Sequence, residues 1–332
     1  MRDRIVVIGA SAGGLEALRV IAAALPADFP APIVVVMHMS PESPGILHEI
    51  INRVGPLRAI EVHRSERLKP GHIYIPPANV HLVIEPGRVR ATRGPKENRF
   101  RPAIDPLFRT AAQVYGPAAI GVIVTGNLDD GTAGLWSIKK LGGTAVVQDP
   151  RDAMFPPMPQ SAVRHVQVDH LVPLPEIAPL LVRLTAAPVH ERAIDIPEHM
   201  QVEIKIAREE DPLKAGLRAV AEPSSIACPE CHGVLMQLKE EGRIRFRCHT
   251  GHAYSADSLL AEISEGIEDA LWIAIRSLHE GSLLIRQMTA LGATTAHSEP
   301  PDTLSDRADA LQRQADTLRA MVADGVGLIG KT

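Results

Sequence analysis

Short apolar runs alternate with longer amphipathic stretches along the first half of the chain. Three of these runs, Ile5–Ile8, Ile33–Met37 and Ala118–Val124, are rich in Val, Ile and Ala. Such runs are typical of buried parallel strands, and the stretches Leu15–Leu25 and Thr132–Leu141 have the pattern of helices. We therefore predict an α/β fold with a doubly wound, mostly parallel sheet.

Each of the three apolar runs leads to a side chain that can serve in nucleophilic catalysis. Ser11 follows the first run, His38 follows the second, and Asp129 and Asp130 follow the third. The carboxyl ends of parallel strands lie at one edge of such a sheet, where ligands bind. A serine needs an imidazole to take its proton, and a buried carboxylate holds that imidazole in the correct tautomer. We therefore predict a Ser-His-Asp site at this edge, with Asp129 and Asp130 as competing third members.

The glycines around Ser11 allow a second interpretation, a degenerate dinucleotide-binding G-x-G-x-x-G motif. Here serine replaces the second glycine, between Gly9 and Gly14, and its side chain would obstruct a pyrophosphate. The second strand also ends on His38, without the acidic residue that binds a ribose. The glycines instead leave the serine hydroxyl open and let backbone N–H groups and a helix start face a reacting carbonyl.

Five ordered segments of residues 1–187 resemble the catalytic domain of CheB, the chemotaxis protein-glutamate methylesterases. They are VVIGASAGG (6–14), VVVMHMSP (34–41), RPAIDPLFRTAA (101–112), VIVTGNLDDGTAGL (122–135) and VVQDPRDAMFPPMPQSAV (146–163). Carried over by position, the resemblance implies Ser11 as the nucleophile and His38 as the base. The Asp-Gly pair of the family falls on Asp130 and Gly131, so the resemblance selects Asp130 over Asp129.

Three features depart from the family pattern. Ala12 stands where many members have Thr, and Asn127 stands where Met is usual. Both positions lie beside the expected oxyanion site, where we expect the backbone N–H groups near Ala12 and Asn127 to act as donors. Typical members also carry a receiver domain before the esterase, whereas the first strand here begins within five residues, so we expect a free-standing form.

The resemblance implies hydrolysis of glutamate γ-methyl esters on chemoreceptors by a serine esterase without a catalytic cofactor, with deamidation of receptor glutamines as a second activity. The main alternative is a non-catalytic signalling scaffold that binds partners through its carboxyl-terminal segments. A third interpretation is an esterase that acts on another protein or on a small ester.

All three cysteines lie within residues 228–248, in two short knuckles separated by a hairpin-like segment. Two such knuckles are how a zinc ribbon supplies tetrahedral sulfur and nitrogen ligands. We predict a structural Zn²⁺ site, and either His249 or His232 could replace its histidine ligand. The predicted ligands are Cys228, Cys231, Cys248 and His252.

Unliganded structural cysteines are one competing interpretation of the three cysteines. A redox C-x-x-C pair is the other. It lacks a strand–helix context and leaves Cys248 unused, and reduced cytosolic thiols favour metal over disulfide. Some free-standing esterases of the resembled family carry a similar C-P-x-C-x-G … R-F-R-C-x-x-G-H segment. A closed four-ligand site has no open position for chemistry, so we expect its loss to spare esterase turnover.

Four segments follow from these patterns: an esterase domain (1–187), a linker (188–222), a zinc ribbon (223–257) and a helical tail (258–332). The linker mixes Pro, His and charges, with a short helix expected at Leu213–Val220. In the tail, apolar residues recur three and four positions apart within 260–278 and 304–322, across a break near 293–303. These stripes predict an intramolecular helical hairpin, with self-association or docking on a helical partner as the alternative.

Length, composition and charge argue against nucleic-acid binding and membrane insertion. The 332 residues suggest two or three domains, and the net charge of −4 gives no argument for binding nucleic acid. No apolar stretch approaches the roughly 20 residues of a membrane span, and no signal peptide is evident. We therefore expect a cytoplasmic protein without direct membrane insertion, whose partners are methylated chemoreceptors or similar helical signalling proteins.

Overall fold

The computed structural model describes residues 4–189, 195–240, 242–291 and 300–324. Residues 1–3 of the predicted esterase domain, 190–194 of the predicted linker, 241 of the predicted zinc ribbon, and 292–299 and 325–332 of the predicted tail lie outside the described residues. The chain divides into two compact units, Met1–Ser258 and Leu259–Thr332.

The described strands all belong to the first unit. They are β1 (Ile5–Ala10), β2 (Ile33–Met37), β3 (Arg58–Glu61), β4 (Ser65–Arg67), β5 (His72–Ile75), β6 (His81–Glu85), β7 (Arg88–Thr92), β8 (Ala119–Ile123), β9 (Thr144–Gln148), β10 (His170–Val172), β11 (Ala221–Ala227), β12 (Val234–Leu238), β13 (Arg245–Cys248) and β14 (Ala253–Ser255). The described α-helices are α1 (Gly14–Ala24), α2 (Leu47–Val54), α3 (Ile104–Tyr115), α4 (Thr132–Lys140), α5 (Pro157–His165), α6 (Leu174–Ala186), α7 (Glu198–Ala207), α8 (Pro212–Ala215), α9 (Leu217–Val220), α10 (Ala256–Ala290) and α11 (Pro301–Ala323).

Seven strands form a parallel sheet in the order β10-β9-β8-β1-β2-β5-β3. Successive side chains of β1 enter two different cores, as the alternation of a strand requires. Val6 and Ile8 pack with residues of α1, α2 and α6, whereas Ile5 and Val7 pack with residues of α3, α4 and α5. Helices therefore cover both faces, and the predicted doubly wound α/β fold is confirmed.

A three-stranded antiparallel sheet, in the order β4-β7-β6, was not predicted from the sequence. Its buried side chains Leu82, Ile84 and Val89 join the same core as α3. This sheet therefore extends the apolar packing on one face of the parallel sheet.

The segment that we interpreted as a linker contains α7, α8 and α9, and α8 and α9 cover most of the short helix expected at 213–220. Helix α7 is buried between two apolar clusters. Met200 and Ile204 join the core around α3, whereas Val202 and Ile206 join a cluster formed with residues of α9 and β12. A helix that is buried on two sides lacks a single apolar stripe, so its periodicity does not stand out. Residues 195–222 thus pack as part of the first unit.

Strands β11 to β14 form a four-stranded antiparallel sheet, and we refer to residues 221–258 as the Cys-rich module. Besides the apolar cluster with α7, a network of buried charges joins this module to the rest of its unit. The Arg247 guanidinium donates to Glu97 at 2.9 Å and to Glu203 at 2.7 Å. Glu97 also pairs with Arg109 at 2.9 Å, and Glu203 pairs with Arg245 at 2.7 Å.

In the second unit, α10 and α11 pack as an antiparallel helical hairpin. The Ser282 hydroxyl donates to the Ala308 carbonyl at 2.8 Å, and His279 Nδ1 lies 3.1 Å from Gln312 Oε1. The helical tail predicted from the apolar stripes is therefore present. None of the helices in the described part of the chain has both the length and the apolar character that crossing a membrane requires.

Candidate active site

Backbone hydrogen bonds between neighbouring strand ends place the candidate residues at the carboxyl edge of the parallel sheet. The N–H of Ser11 donates to the Thr125 carbonyl at 3.1 Å, and the N–H of His38 donates to the Ala10 carbonyl at 3.1 Å. Gly126 permits a close approach of the loop after β8, because a Cβ there would lie 2.7 Å from the Ser11 Cβ. Hydrogen bonds that continue the strand pairing beyond the ends of the strands therefore hold Ser11 and His38 in position.

The three predicted side chains form one hydrogen-bonded row. Ser11 Oγ lies 3.0 Å from His38 Nδ1, and His38 Nε2 lies 2.7 Å from Asp130 Oδ2. The imidazole and the carboxylate are almost fully buried, with side-chain exposures of 4% and 2%. The ring is turned relative to the chymotrypsin arrangement, in which Nε2 faces the serine. Either nitrogen of an imidazole can serve as the base, so the row can carry a proton away from the serine hydroxyl.

The two adjacent aspartates, Asp129 and Asp130, make different hydrogen bonds. Asp130 accepts the hydrogen bond from His38, whereas Asp129 Oδ1 accepts one from the Ser255 hydroxyl at 2.7 Å. Burial raises the pKa of Asp129 to about 6. Asp129 therefore points away from the imidazole, towards the Cys-rich module.

Hydrogen bonds favour the ionised form of Asp130 in spite of its burial. Burial alone would raise the pKa of this carboxyl, but the hydrogen bond from His38 and those from Ile104 and Asn98 lower it below its ordinary value. A second buried carboxyl, Asp105, lies behind it. Burial, and then the charge of Asp130, raise the pKa of Asp105 to about 7. The site thus holds one carboxylate that is ionised at neutral pH beside one that is poised to titrate.

The expected oxyanion donors lie beside the nucleophile. The hydroxyl of Thr125 donates to the Ala12 carbonyl at 3.0 Å, which holds the peptide between Ala12 and Gly13 in place. Within the described part of the chain, the backbone N–H groups of Ala12 and Asn127 have no hydrogen-bond acceptor. Neither N–H group is therefore occupied by another acceptor within the described residues.

Two residues at the site were not predicted from the sequence. The Phe100 ring stacks on the His38 imidazole, with a centroid distance of 3.8 Å and an angle of 10° between the planes. Asn98 donates to Asp130 Oδ1 at 2.9 Å. Both precede the Arg101–Ala112 segment that resembles the family, and a lone aromatic or amide in a loop carries no periodic signal.

A cleft of about 470 Å³ opens above Ser11 and His38. Three cationic side chains, Lys96, Arg99 and Arg101, line it together with Phe100. Arg101 is held in place by hydrogen bonds to Asn79 Oδ1 at 2.7 Å and to the Gly94 carbonyl at 2.8 Å. Lys96 pairs with Glu230 at 2.8 Å, so the positive charge of the cleft is partly compensated.

The cysteines and one histidine of the Cys-rich module form a compact cluster, in which all ligand atoms lie within 4.8 Å of one another. Sγ of Cys231 and Sγ of Cys248 are 3.7 Å apart, and Sγ of Cys228 is 3.7 Å from Nδ1 of His252. Zn–S bonds of about 2.3 Å in a tetrahedron place sulfur atoms about 3.8 Å apart, so the four predicted ligands fit a zinc ion.

The two alternative histidines lie outside this cluster. His249 packs against Gly233, where an added Cβ would lie 2.2 Å from the imidazole Cε1. His232 has a backbone φ of 60° and is not a member of the cluster. Of the three histidines considered, the geometry therefore selects His252.

Comparisons with known proteins cover the first part of the chain. The family model for CheB methylesterase matches residues 6–181. A candidate protein-glutamate methylesterase/protein-glutamine glutaminase from Leptospira interrogans is 40% identical over 193 residues, which is 58% of this chain and 100% of that protein. A protein-glutamate methylesterase/protein-glutamine glutaminase 1 from Xanthomonas campestris pv. campestris is 40% identical over 188 residues, 55% of this chain and 52% of that protein.

A solved structure is similar over the same region. The crystal structure of the Thermotoga maritima CheB methylesterase catalytic domain matches with a TM-score of 0.53 and 36% sequence identity. The match covers 55% of this chain and 100% of that one.

Proposed function

This chain belongs to the CheB methylesterase family, and from this premise we propose that it hydrolyses glutamate γ-methyl esters on chemoreceptors, with Ser11, His38 and Asp130 as its catalytic triad. The observation that carries the proposal is the continuous hydrogen-bonded row from Ser11 Oγ through His38 to Asp130 Oδ2. Relatives that match this region bear the names of both a methylesterase and a glutaminase. Deamidation of receptor glutamines is the corresponding second activity.

The reaction follows from the row of contacts. Ser11 Oγ attacks the ester carbonyl while His38 Nδ1 takes the hydroxyl proton, and Asp130 stabilises the imidazolium. The N–H groups of Ala12 and Asn127 stabilise the oxyanion. The C–O bond to the methoxy group breaks, and His38 returns the proton to release methanol. Water then attacks the acyl-enzyme with the same base, which frees Ser11 and the glutamate carboxylate.

The charge of the cleft supports an acidic protein surface as the substrate. Lys96, Arg99 and Arg101 line the approach to Ser11, and Lys96 shares its charge with Glu230 at 2.8 Å. Positive charge at a cleft concentrates anionic partners and weakens as salt screens it. We therefore expect KM for a methylated receptor segment flanked by carboxylates to rise with ionic strength, while kcat stays constant.

Methanol release from a methylated receptor fragment tests the proposal. We expect turnover by the wild-type chain and its loss in Ser11→Ala, with the fold unchanged by circular dichroism. Ser65→Ala is the matched control, because its hydroxyl accepts a hydrogen bond from Arg88 at 3.0 Å on β4 and does not line the cleft. A folded Ser11→Ala variant that turns over like the control would refute the triad. A wild-type chain that binds the fragment without releasing methanol would favour the scaffold alternative.

For the Cys-rich module we propose one structural Zn²⁺, held by Cys228, Cys231, Cys248 and His252. The support is the fit of the ligand distances to a tetrahedral ion. When bound, the ion would supply folding free energy to the module and no reactive position, because all four ligand places are filled. Metal analysis of protein purified without chelator should find about one zinc per chain, and Cys248→Ser should lose it. Full zinc content in Cys248→Ser would contradict this ligand set.

A further inference from the structure

The third member of the proposed triad is held from behind by an amide. Asp130 Oδ2 accepts hydrogen bonds from His38 and, at 2.6 Å, from the backbone N–H of Ile104. Oδ1 of the same carboxylate accepts a hydrogen bond from Asn98 Nδ2 at 2.9 Å. Among the described residues, the side chains that donate hydrogen bonds to this carboxylate are those of His38 and Asn98.

The Cys-rich module determines which way the Asn98 amide faces. Asn98 Oδ1 accepts hydrogen bonds from the backbone N–H of Ser255 at 3.0 Å and from the Ser258 hydroxyl at 3.2 Å. A backbone N–H can only donate, so the amide oxygen must face Ser255 and the NH₂ group must face the carboxylates. The second amide hydrogen is donated to Asp105 Oδ2 at 3.0 Å.

The backbone around Asn98 is built to present its side chain inwards. Residues 97–100 form a two-residue turn, in which the N–H groups of Glu97 and Phe100 donate to each other's carbonyls at 3.2 and 2.9 Å. Asn98 and Arg99 have φ values of 49° and 78°, the two positive angles that a type I′ turn requires. The N–H of Asn98 donates to the Ala253 carbonyl of β14 at 2.8 Å, so this turn is fixed to the Cys-rich module.

We propose that Asn98 is a positioning residue of the esterase reaction, and that Ser255 and Ser258 set its orientation, so that the Cys-rich module completes the catalytic site. The inference rests on the triad proposed above. The amide fixes the Asp130 carboxylate towards His38 and separates it from the carboxyl of Asp105. The proposal replaces the expectation, drawn from the sequence, that the Cys-rich module is dispensable for turnover.

Asn98→Gly is the direct test, because glycine adopts the positive φ without steric cost and removes the side chain that carries the amide. We expect kcat for methanol release to fall about 100-fold, the scale of a misplaced catalytic group, with KM within about twofold of the wild-type value. The acid limb of the kcat profile should also move to higher pH, because Asp130 loses a donor that favours its ionised form.

Asn52→Ala is the matched control, since the Asn52 amide also makes two hydrogen bonds, to the backbone of Ala59 at 3.0 and 2.8 Å. Its kcat and pH profile should equal those of the wild type. A folded Asn98→Gly variant with wild-type kcat would overturn the positioning role. A loss of kcat that is equal at every pH, with an unmoved acid limb, would also overturn it and leave a structural role only.

Two serines on α10 decide the question if Asn98→Gly does not fold. Ser258 and Ser282 are both buried, and the Ser282 hydroxyl donates to the Ala308 carbonyl in the helical hairpin. Ser258→Ala should lower kcat severalfold and move the acid limb in the same direction, whereas Ser282→Ala should change neither. Equal kcat values and pH profiles in these two variants would refute the proposal. Ser11→Ala is assayed in parallel, because its activity would refute the triad itself and not the role of Asn98.

Discussion

The parallel sheet and the buried charge network hold parts of the same unit together by different means. Around β1, fully buried side chains such as Ile5 and Val7 contact other apolar groups. At the Cys-rich module, equally buried Arg247 and Glu203 contact each other and further charges. Removal of a methylene from the first region leaves a small cavity, whereas removal of one charge from the second leaves an opposite charge uncompensated in a buried site. The two regions should therefore respond very differently to conservative substitutions.

The largest effect is expected at the carboxyl edge of the parallel sheet, where turnover, and not stability, depends on the Asp130 side chain. Asp130→Asn should lower kcat by about 10⁴-fold, because an asparagine can stabilise the wrong imidazole tautomer. Asp129→Asn is the adjacent control, and its kcat should stay within a few-fold of the wild-type value. Steady-state methanol release measures both. A more severe loss in Asp129→Asn would transfer the role of third member to Asp129.

The comparison between apolar and charged packing can be tested by one substitution in each region. Glu203→Gln should lower the free energy of unfolding by about 3–5 kcal/mol, because it removes a buried charge that faces Arg245 and Arg247. Ile8→Val in the sheet core should cost only about 0.5–1.5 kcal/mol. Urea unfolding monitored by circular dichroism measures both values. Equal losses would show that the charge network is less important than its burial indicates.

An effect smaller than that of Glu203→Gln is expected in Asp129→Asn, as a pH-dependent gain of stability. The raised pKa of Asp129, about 6, means that its contribution to stability is fully present below about pH 4 and is lost as the pH rises through 6. Asparagine does not ionise, so the variant should gain up to about 3 kcal/mol over the wild type between these values, at about 1.4 kcal/mol per pKa unit. Thermal unfolding on both sides of this interval measures the gain. A constant difference at all pH values would contradict the raised pKa.

The same contrast explains what could be predicted from the sequence. Ser11, His38 and Asp130 follow apolar runs, and the ends of buried strands can be located from such runs. Glu203 and Arg247 were missed because charged residues are normally exposed, so nothing in their pattern distinguishes a buried pair. The cysteine spacing indicated the cluster in the Cys-rich module, but no spacing rule relates it to Asn98, which lies 157 positions before Ser255.

The residues that make these contacts lie far apart in the sequence, and this has a consequence while the chain is being synthesised. Glu97 and its partner Arg247 are 150 positions apart, although the strands of the parallel sheet are complete at Val172. A ribosome therefore exposes the whole sheet well before it releases Arg247 and the residues that orient Asn98. Contacts between such distant positions form slowly, and multi-part chains often pass through incomplete intermediates. A nascent chain that ends near residue 190 would thus carry Ser11 and His38 without Ser255 and Ser258, and under the role proposed for Asn98 its esterase turnover should be lower than that of the full chain.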